Sequence, residues 1–335
     1  MLNQQAKAIN FVWNYINELS SRSIKERGVF LSEFDLHPYT KGAGKELGLH
    51  SQTLQCVAKE YVTRRKQFKK ARLNWRKSGG VKRSLGWVPF NTSAASFKNG
   101  QVYFNKQHFK AWDSYGLSQY KFKSGSFNED SRGRWYFNVV VEVEAEKGTG
   151  IQAVGIDLGC RKAATDSNGT AIVGRQYRRL EAKLGIAQRA RKKSRVSAIH
   201  AKIKNRRADI LHKYSRKLVN ESAAIFVGNV SSKGLVKTKM AKSVLDAGWS
   251  TLKTMLEYKC AHAGIVFEVV NEAYSTQTFS CCGCIPASSP KSRPGLGKSE
   301  WVCSECGAEH DRDINAAKNI CAVGLHRLVE EKVAA

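Results

Sequence analysis

Apolar residues recur at helical spacing in LNQQAKAINFVWNYINELSSRSIKER, where Ala8, Phe11, Val12, Tyr15 and Ile16 share one face. An amphipathic helix is therefore predicted almost from Met1. After a turn at His37 and Pro38 the same period returns from Ala43 to Trp75, with Leu54, Val57, Tyr61 and Phe68 apolar, and predicts a further helix there. Between Leu85 and Glu146 the period shortens to two. SLGWVPF, QVYFN, QYKFKSG and RWYFNVVVEVE alternate β-branched or aromatic residues with polar ones across glycine turns, the pattern of a small antiparallel barrel or sheet. EKGTG at 146–150 reads as a linker. IQAVGIDLG then forms an apolar strand ending in Asp157, with a hairpin turn at Asn168 and Gly169. Residues 189–217 carry Val196, Ile199, Ile203, Ile210 and Tyr214 on one stripe, continued by Leu218, and predict one long helix. AAIFVGNV at 223–230 is a buried-type strand; a helix from Ser243 to Ala263 and a strand GIVFEVVNE ending at Glu272 follow. Strands alternating with helices after a hairpin predict an α/β domain with a largely parallel sheet.

Charge changes the picture most. There are 56 Lys plus Arg against 28 Asp plus Glu, a formal net charge of +28 with a pI near 9.9. Such a surplus predicts a polyanionic partner, because each neutralised phosphate releases counterions. A membrane surface is the poorer match, since no apolar run nears the roughly 20 residues of a spanning helix. The basic residues also cluster. Arg64, Arg65, Lys66, Lys69, Lys70, Arg72 and Arg76 fall within thirteen residues without one acid, more than a solvated helix face needs. The 189–217 segment holds a dozen cations, including Arg191, Lys192, Lys193, Arg206 and Arg207, which must point away from the apolar stripe. Aromatics among the cations of the 85–146 strands could stack on bases or simply pack the sheet.

Candidate chemistry concentrates near the end. Cys303 and Cys306 form a C-x-x-C followed by Gly307, and Cys281, Cys282 and Cys284 lie about 18 residues upstream. Two thiolates from each of two tight turns suit a structural Zn²⁺, with four of these five as ligands. Scattered single cysteines at 56, 160, 260 and 321, and no signal-peptide pattern, predict a reducing cytoplasm rather than disulfides. Asp157 at a strand end is by itself as compatible with a turn former as with a site, and Asp311 equally with a helix N-cap.

The segments GIDLG, AKIKNRRADILHKYS, IFVGNV, VNEAYSTQT, the cysteine knuckles and HDRDINAAKNI follow one another as in the TnpB family, which this chain resembles from residue 150 to about 325. These are transposon-encoded relatives of compact type V CRISPR effectors. The resemblance implies a multidomain α/β protein: a helical recognition element at 1–80 and a β-barrel, wedge-like domain at 81–147. It further implies an RNase H-like (RuvC-like) nuclease at 151–275, a zinc ribbon inserted at 276–310, a final helix at 311–327 and a disordered tail at 328–335. It implies an RNA-guided endonuclease of the bacterial cytoplasm, associated with the nucleoid, whose partners are a guide RNA and a double-stranded DNA target with a short flanking motif. The cofactors implied are two catalytic Mg²⁺ ions and one structural Zn²⁺.

Two Mg²⁺ ions about 4 Å apart need some three carboxylates converging at strand ends and a helix start. Asp157 matches the first acid and Asp313 the last. The family's middle acid falls at Gly228, which has no side chain. Either Glu272, one strand over, has taken that role, or the chain binds a guided target without cutting; we expect the relocation, with Glu268 and Glu221 as poorer substitutes. The ribbon departs too, since Phe279 stands where a knuckle cysteine is expected and Cys281 and Cys284 offer a shifted C-x-x-C. A strand expected before the first helix is also absent.

Overall fold

The computed structural model describes residues 1–91, 94–113, 116–145, 147–175, 177–238, 240–290, 297 and 299–334. Glu146 of the expected linker and Lys239 of the loop after the 223–230 strand lie outside them. The chain forms two compact units, Met1–Glu144 and Ala145–Ala335.

In the first unit, α1 (Leu2–Arg27) runs its full predicted length and ends on Gly28 in left-handed conformation. The helix expected from Ala43 to Trp75 is instead two, α3 (Ala43–Leu47) and α4 (Ser51–Phe68), after a short α2 (Glu33–Thr40). Left-handed Gly48 ends α3 and left-handed Lys69 ends α4. Ile9, Val12 and Ile16 pack with Val57, Ala58 and Tyr61 in one core, and Trp13 meets Tyr61 edge-on at 5.4 Å. The extended chain after α4 is tied to α1 by Asn17, whose amide donates to Leu73 O at 2.7 Å and accepts from Leu73 N at 2.9 Å.

The period-two region forms two three-stranded antiparallel sheets rather than one closed barrel among the described residues. One has the order β1 (Trp87–Asn91), β5 (Phe122–Glu129), β6 (Trp135–Val141); the other is β2 (Ala95–Lys98), β3 (Gln101–Phe104), β4 (Gln107–Lys110). Phe90, Phe104, Phe109, Phe127 and Phe137 join them in an aromatic cluster with centroids 5.1–5.9 Å apart. Each buried ring contributes about 1.5–3 kcal/mol of transfer free energy.

The second unit is built on a five-stranded sheet. Its strands are β7 (Gln152–Asp157), β8 (Lys162–Asp166), β9 (Ala171–Val173), β10 (Ser222–Gly228) and β11 (Val266–Val270). The spatial order is β11-β10-β7-β8-β9. β7, β8 and β9 pair antiparallel as successive hairpins, whereas β7, β10 and β11 run parallel. The predicted 189–217 helix is again two, α5 (Arg178–Arg189) and α6 (Lys193–Glu221), broken where Arg191 turns left-handed at φ 52°. After α7 (Ser232–Leu235), the expected Ser243–Ala263 helix divides at left-handed Gly248 into α8 (Ala241–Ala247) and α9 (Trp249–Ala263).

Leu211, Tyr214 and Leu218 of α6 and Leu252, Leu256 and Cys260 of α9 cover Val154, Ile156, Ile225 and Val227 on one side of the sheet. Ala224, Phe226 and Val270 meet Ile320 of the final helix, Arg312–Ala334, in a separate cluster. This helix approaches β7 so closely that a Cβ on Gly155 would meet backbone atoms of Ala317 and Cys321. It also corrects the expected disordered tail. Residues 328–334 remain helical because Leu328 still packs against the Phe226 cluster. Between β11 and the final helix stands the hairpin β12 (Glu300–Val302) with β13 (Glu309–Asp311).

Candidate functional site

Parallel pairing brings three strand ends together at one edge of the sheet. Asp157 is the last residue of β7 and Gly228 the last of β10. The register Val227↔Ile156 places these two termini side by side, and Gly228 pairs with Val270 on the other side. Strand β11 stops at Val270, two residues short of the predicted end, so Glu272 lies in the turn that follows. That turn carries its side chain back over β10. A Cβ built on Gly228 would meet the Glu272 Oε2 and would sit 3.2 Å from both its Cβ and Cδ. The Glu272 carboxylate thus fills the space in which a side chain at 228 would begin.

The surroundings of Glu272 are those of a carboxylate awaiting a partner. Its backbone N–H donates to Asn229 Oδ1 at 3.4 Å, but its Oε2 is buried and accepts nothing, which costs about 1–3 kcal/mol for a buried polar atom. Burial raises its pKa, opposed by the Lys253 ammonium and a backbone N–H at Val230. Lys253 is anchored beside it, donating to Gly228 O at 2.7 Å.

Asp313 enters from the start of the final helix. Asp311, just before that helix, accepts from the N–H groups of Asp313 at 2.9 Å and Ile314 at 3.1 Å. Asp311 is therefore the N-cap, and its second oxygen takes Lys162 Nζ at 2.9 Å. Burial pushes the Asp311 pKa up, but Lys162 and the two amides outweigh it and hold it below the ordinary value. Arg312 pairs with Asp313 at 3.0 Å and Lys162 stands 3.9 Å from it.

Two asparagines not singled out from sequence fasten the parts together. The side-chain amides of Asn315 and Asn319 both donate to Thr278 O at 2.7 Å, and that of Asn319 to Ser275 O at 2.8 Å. Ser280 N–H returns a bond to Asn315 Oδ1 at 2.8 Å. The segment after Glu272 is thereby pinned to the helix that carries Asp313. Their i, i+4 spacing in INAAKNI was the available signal, but nothing in sequence shows which carbonyls they reach.

The Asp157 carboxyl senses both of the other acids. The Asp157 pKa is pushed up to about 7, first by burial, then by the negative charges of Asp313 and Glu272, against the opposing pull of Arg312 and the Leu158 N–H. Among the described residues, the three do not form a group whose ligand atoms all lie within 4.8 Å of one another. Three hard oxygen donors at one sheet edge, one with an orphaned buried atom, fit a magnesium-type ion or pair.

The charge crowding has a measurable consequence. Between about pH 4 and pH 7 the unfolded chain has released the Asp157 proton while the folded chain keeps it, so the stability of metal-free protein falls as pH rises through that window. Asp157→Asn removes this penalty. Its metal-free melting temperature should exceed the parent's at pH 8, by roughly 2–4 °C per kcal/mol relieved, and match it near pH 4. Coincident melting curves at pH 8 contradict the placement of Asp157.

The cysteines divide. Cys282, Cys303 and Cys306 bring their sulfurs within 4.8 Å of one another, and this triad could bind zinc. Cys281 is exposed and stands outside the triad, as does Cys284. Phe279 is wholly buried, edge-on to Trp301 at 4.7 Å and 5.0 Å from the His310 ring.

The candidate phosphate contacts also divide. Arg65 is 3% exposed and donates to Ser20 Oγ at 2.5 Å and Leu31 O at 2.7 Å. It is a core residue, which corrects the expectation of phosphate contact. Arg207 donates to Leu245 O at 2.9 Å and lies 3.8 Å from Asp246. Arg64 pairs with Glu60 at 2.6 Å and Arg72 with Glu18 at 2.9 Å. Lys69, Lys70, Arg191, Lys192, Lys193 and Arg206 are exposed. Among the described residues, no helix is long and apolar enough to cross a membrane.

Two stretches of the chain match known protein families. Residues 136–239 match the OrfB_IS605 family, described as "Probable transposase", and residues 249–320 match "Cas12f1-like, TNB domain". A Streptomyces pristinaespiralis protein named "Putative RNA-guided DNA endonuclease" is 34% identical over 263 residues, 73% of this chain and 64% of that protein. The Cas12f1 CRISPR-associated endodeoxyribonuclease of Sulfoacidibacillus thermotolerans is 26% identical over 41% of this chain and 32% of its own. This chain thus spans less than two thirds of either relative. A solved Cas12f1–sgRNA–target DNA complex aligns with a TM-score of 0.57 at 13% identity, covering 95% of this chain and 81% of that one, a likeness of fold. The chain belongs to the TnpB/OrfB IS605 family, with a Cas12f1-like TNB domain.

Proposed function

We propose that this protein is an RNA-guided DNA endonuclease that hydrolyses phosphodiester bonds at a RuvC-like centre formed by Asp157, Glu272 and Asp313. The observation that carries the reading is the Glu272 carboxylate seated against Gly228, beside the terminus of the strand that bears Asp157. The strand order, three antiparallel strands continued by two parallel ones, supports an RNase H-like sheet.

The three carboxylates would hold two Mg²⁺ ions, which when bound would supply an activated water and neutralise charge on the leaving oxygen. The chain's own residues prepare the place. Asp157, whose proton is held by burial and by the two other acids, would lose it to hold a cation there. Lys162 and Arg312 hold Asp313, and Lys253 braces Glu272 and the end of β10.

The partners are a guide RNA and double-stranded DNA with a short flanking motif. Lys69, Lys70, Arg191, Lys192, Lys193 and Arg206 are the exposed cations assigned to phosphates. Arg64 and Arg72 would first have to leave Glu60 and Glu18. The helices and paired sheets of the first unit act as the recognition and wedge-like elements, and the cysteine hairpin as a zinc ribbon.

The test is to co-express the protein with its associated RNA, purify the complex and add target plasmid with Mg²⁺. Linearised plasmid that requires both guide match and Mg²⁺ is expected. Plasmid bound but left intact across flanking sequences overturns the nuclease in favour of a guided binding protein.

A further inference from the structure

The two turns of the cysteine hairpin are copies of one another. Around the second, Cys303 N–H donates to Ala308 O at 2.9 Å and Gly307 N–H to Cys303 O at 3.0 Å. Around the first, Phe279 N–H donates to Cys284 O at 2.8 Å and Gly283 N–H to Phe279 O at 2.8 Å. Gly283 and Gly307 both turn left-handed, at φ 72° and 70°. Superposing the bonds pairs Phe279 with Cys303, Cys281 with Glu305, Cys282 with Cys306 and Cys284 with Ala308. The first knuckle thus keeps its backbone while its first ligand position holds a phenyl ring, buried against Trp301.

Three sulfurs within 4.8 Å leave a tetrahedral zinc one ligand short. The same pairing decides between the two remaining thiols. Cys281 and Cys284 are both exposed, but Cys281 takes the place of Glu305, which is itself exposed and stands outside the sulfur triad. Cys284 takes the place of Ala308, which packs against the Phe279, Trp301 and Cys303 cluster. The Cys284 thiol already lies on the Cys282 side, donating to Cys282 O at 3.7 Å, and the Cys282 and Cys303 sulfurs are 3.8 Å apart.

We infer that Cys284 is the fourth zinc ligand, completing a site with Cys282, Cys303 and Cys306 in place of the position occupied by Phe279. The shifted C-x-x-C does not operate as a pair, since Cys281 stays outside. This assignment is independent of the nuclease reading.

The test reads zinc rather than cleavage. Full-length protein and its Cys281→Ala and Cys284→Ala variants are purified without chelator, assayed for zinc per chain, then challenged with a chelating dye. Wild type and Cys281→Ala should carry one zinc and release it slowly. Cys284→Ala should release it at least tenfold faster, and adding Phe279→Cys should restore slow release. Should Cys284→Ala fail to fold, Co²⁺-loaded wild type decides: its thiolate charge-transfer band should have the intensity of four sulfurs. Zinc-free wild type, fast release from Cys281→Ala, slow release from Cys284→Ala, or a three-sulfur Co²⁺ band overturns the assignment.

Discussion

Glu272→Gln is expected to lower guided DNA cleavage by about 10³-fold or more, some 4 kcal/mol of barrier, while target binding stays within about twofold. The change is isosteric, so packing over Gly228 survives and only the charge is lost. Burial already raises the pKa of this carboxylate and leaves one oxygen without a partner, so the neutral amide fits the metal-free fold at least as well. Cleavage assays at saturating guide and Mg²⁺, with gel-shift assays of the same samples, separate the two effects. Near-parental cleavage by Glu272→Gln would falsify its assignment. Asp157→Asn and Asp313→Asn should match it in severity, because each removes one of the three carboxylates proposed to hold the cations.

Gly228→Ala should cost about 10²-fold in cleavage although it removes no functional group. The new methyl would occupy the position of the Glu272 Oε2 and press on its Cβ and Cδ, and a displacement of about 1 Å at a reacting centre has that scale of effect. The decisive companion is the exchange Gly228→Glu with Glu272→Gly, which puts the carboxylate on β10 and empties the space beside it. Activity should return to within about tenfold of the parent in the exchange, whereas Gly228→Glu alone should be poor, two side chains then competing for one space. If the natural site were inactive, Gly228→Glu alone would instead raise cleavage above the parent.

Much of this was legible in the chain. The apolar strands place Asp157 at a β terminus, and the hydrophobic stripe of α6 and the end of α9 at Ala263 follow from the pattern alone. Helix breaks were not legible. A left-handed residue such as Arg191, Lys69 or Gly248 bends the backbone without disturbing the repeat of apolar side chains around it. The role of Arg65 was hidden for another reason. It sits in a run of cations, but its burial depends on Ser20 and Leu31, 45 and 34 residues away.

At the candidate site the residue types and the position of Glu272 one strand over from Gly228 were readable, and the contact between the two was not. Gly228 and Glu272 lie 44 positions apart, and only the parallel register of β10 on β11, with the turn after Val270, folds one over the other. Phe279 marked a disturbed knuckle. Its backbone bonds were needed to show that the turn persists and that the ring fills a ligand position. Asn315 and Asn319 show only their i, i+4 spacing in the sequence, and their carbonyl partners after Glu272 come from the fold.

In the proposed centre Glu272 joins Asp157 and Asp313 around the same cations. A structure of the guided complex with Mn²⁺, located by its anomalous scattering, tests it most directly. Manganese density is expected at the β7 and β10 termini with oxygens of Asp157, Glu272 and Asp313 all at bonding distance, roughly 2.0–2.2 Å for an ion of this kind. Manganese held by Asp157 and Asp313 with Glu272 turned away, or no manganese at that sheet edge, would contradict it.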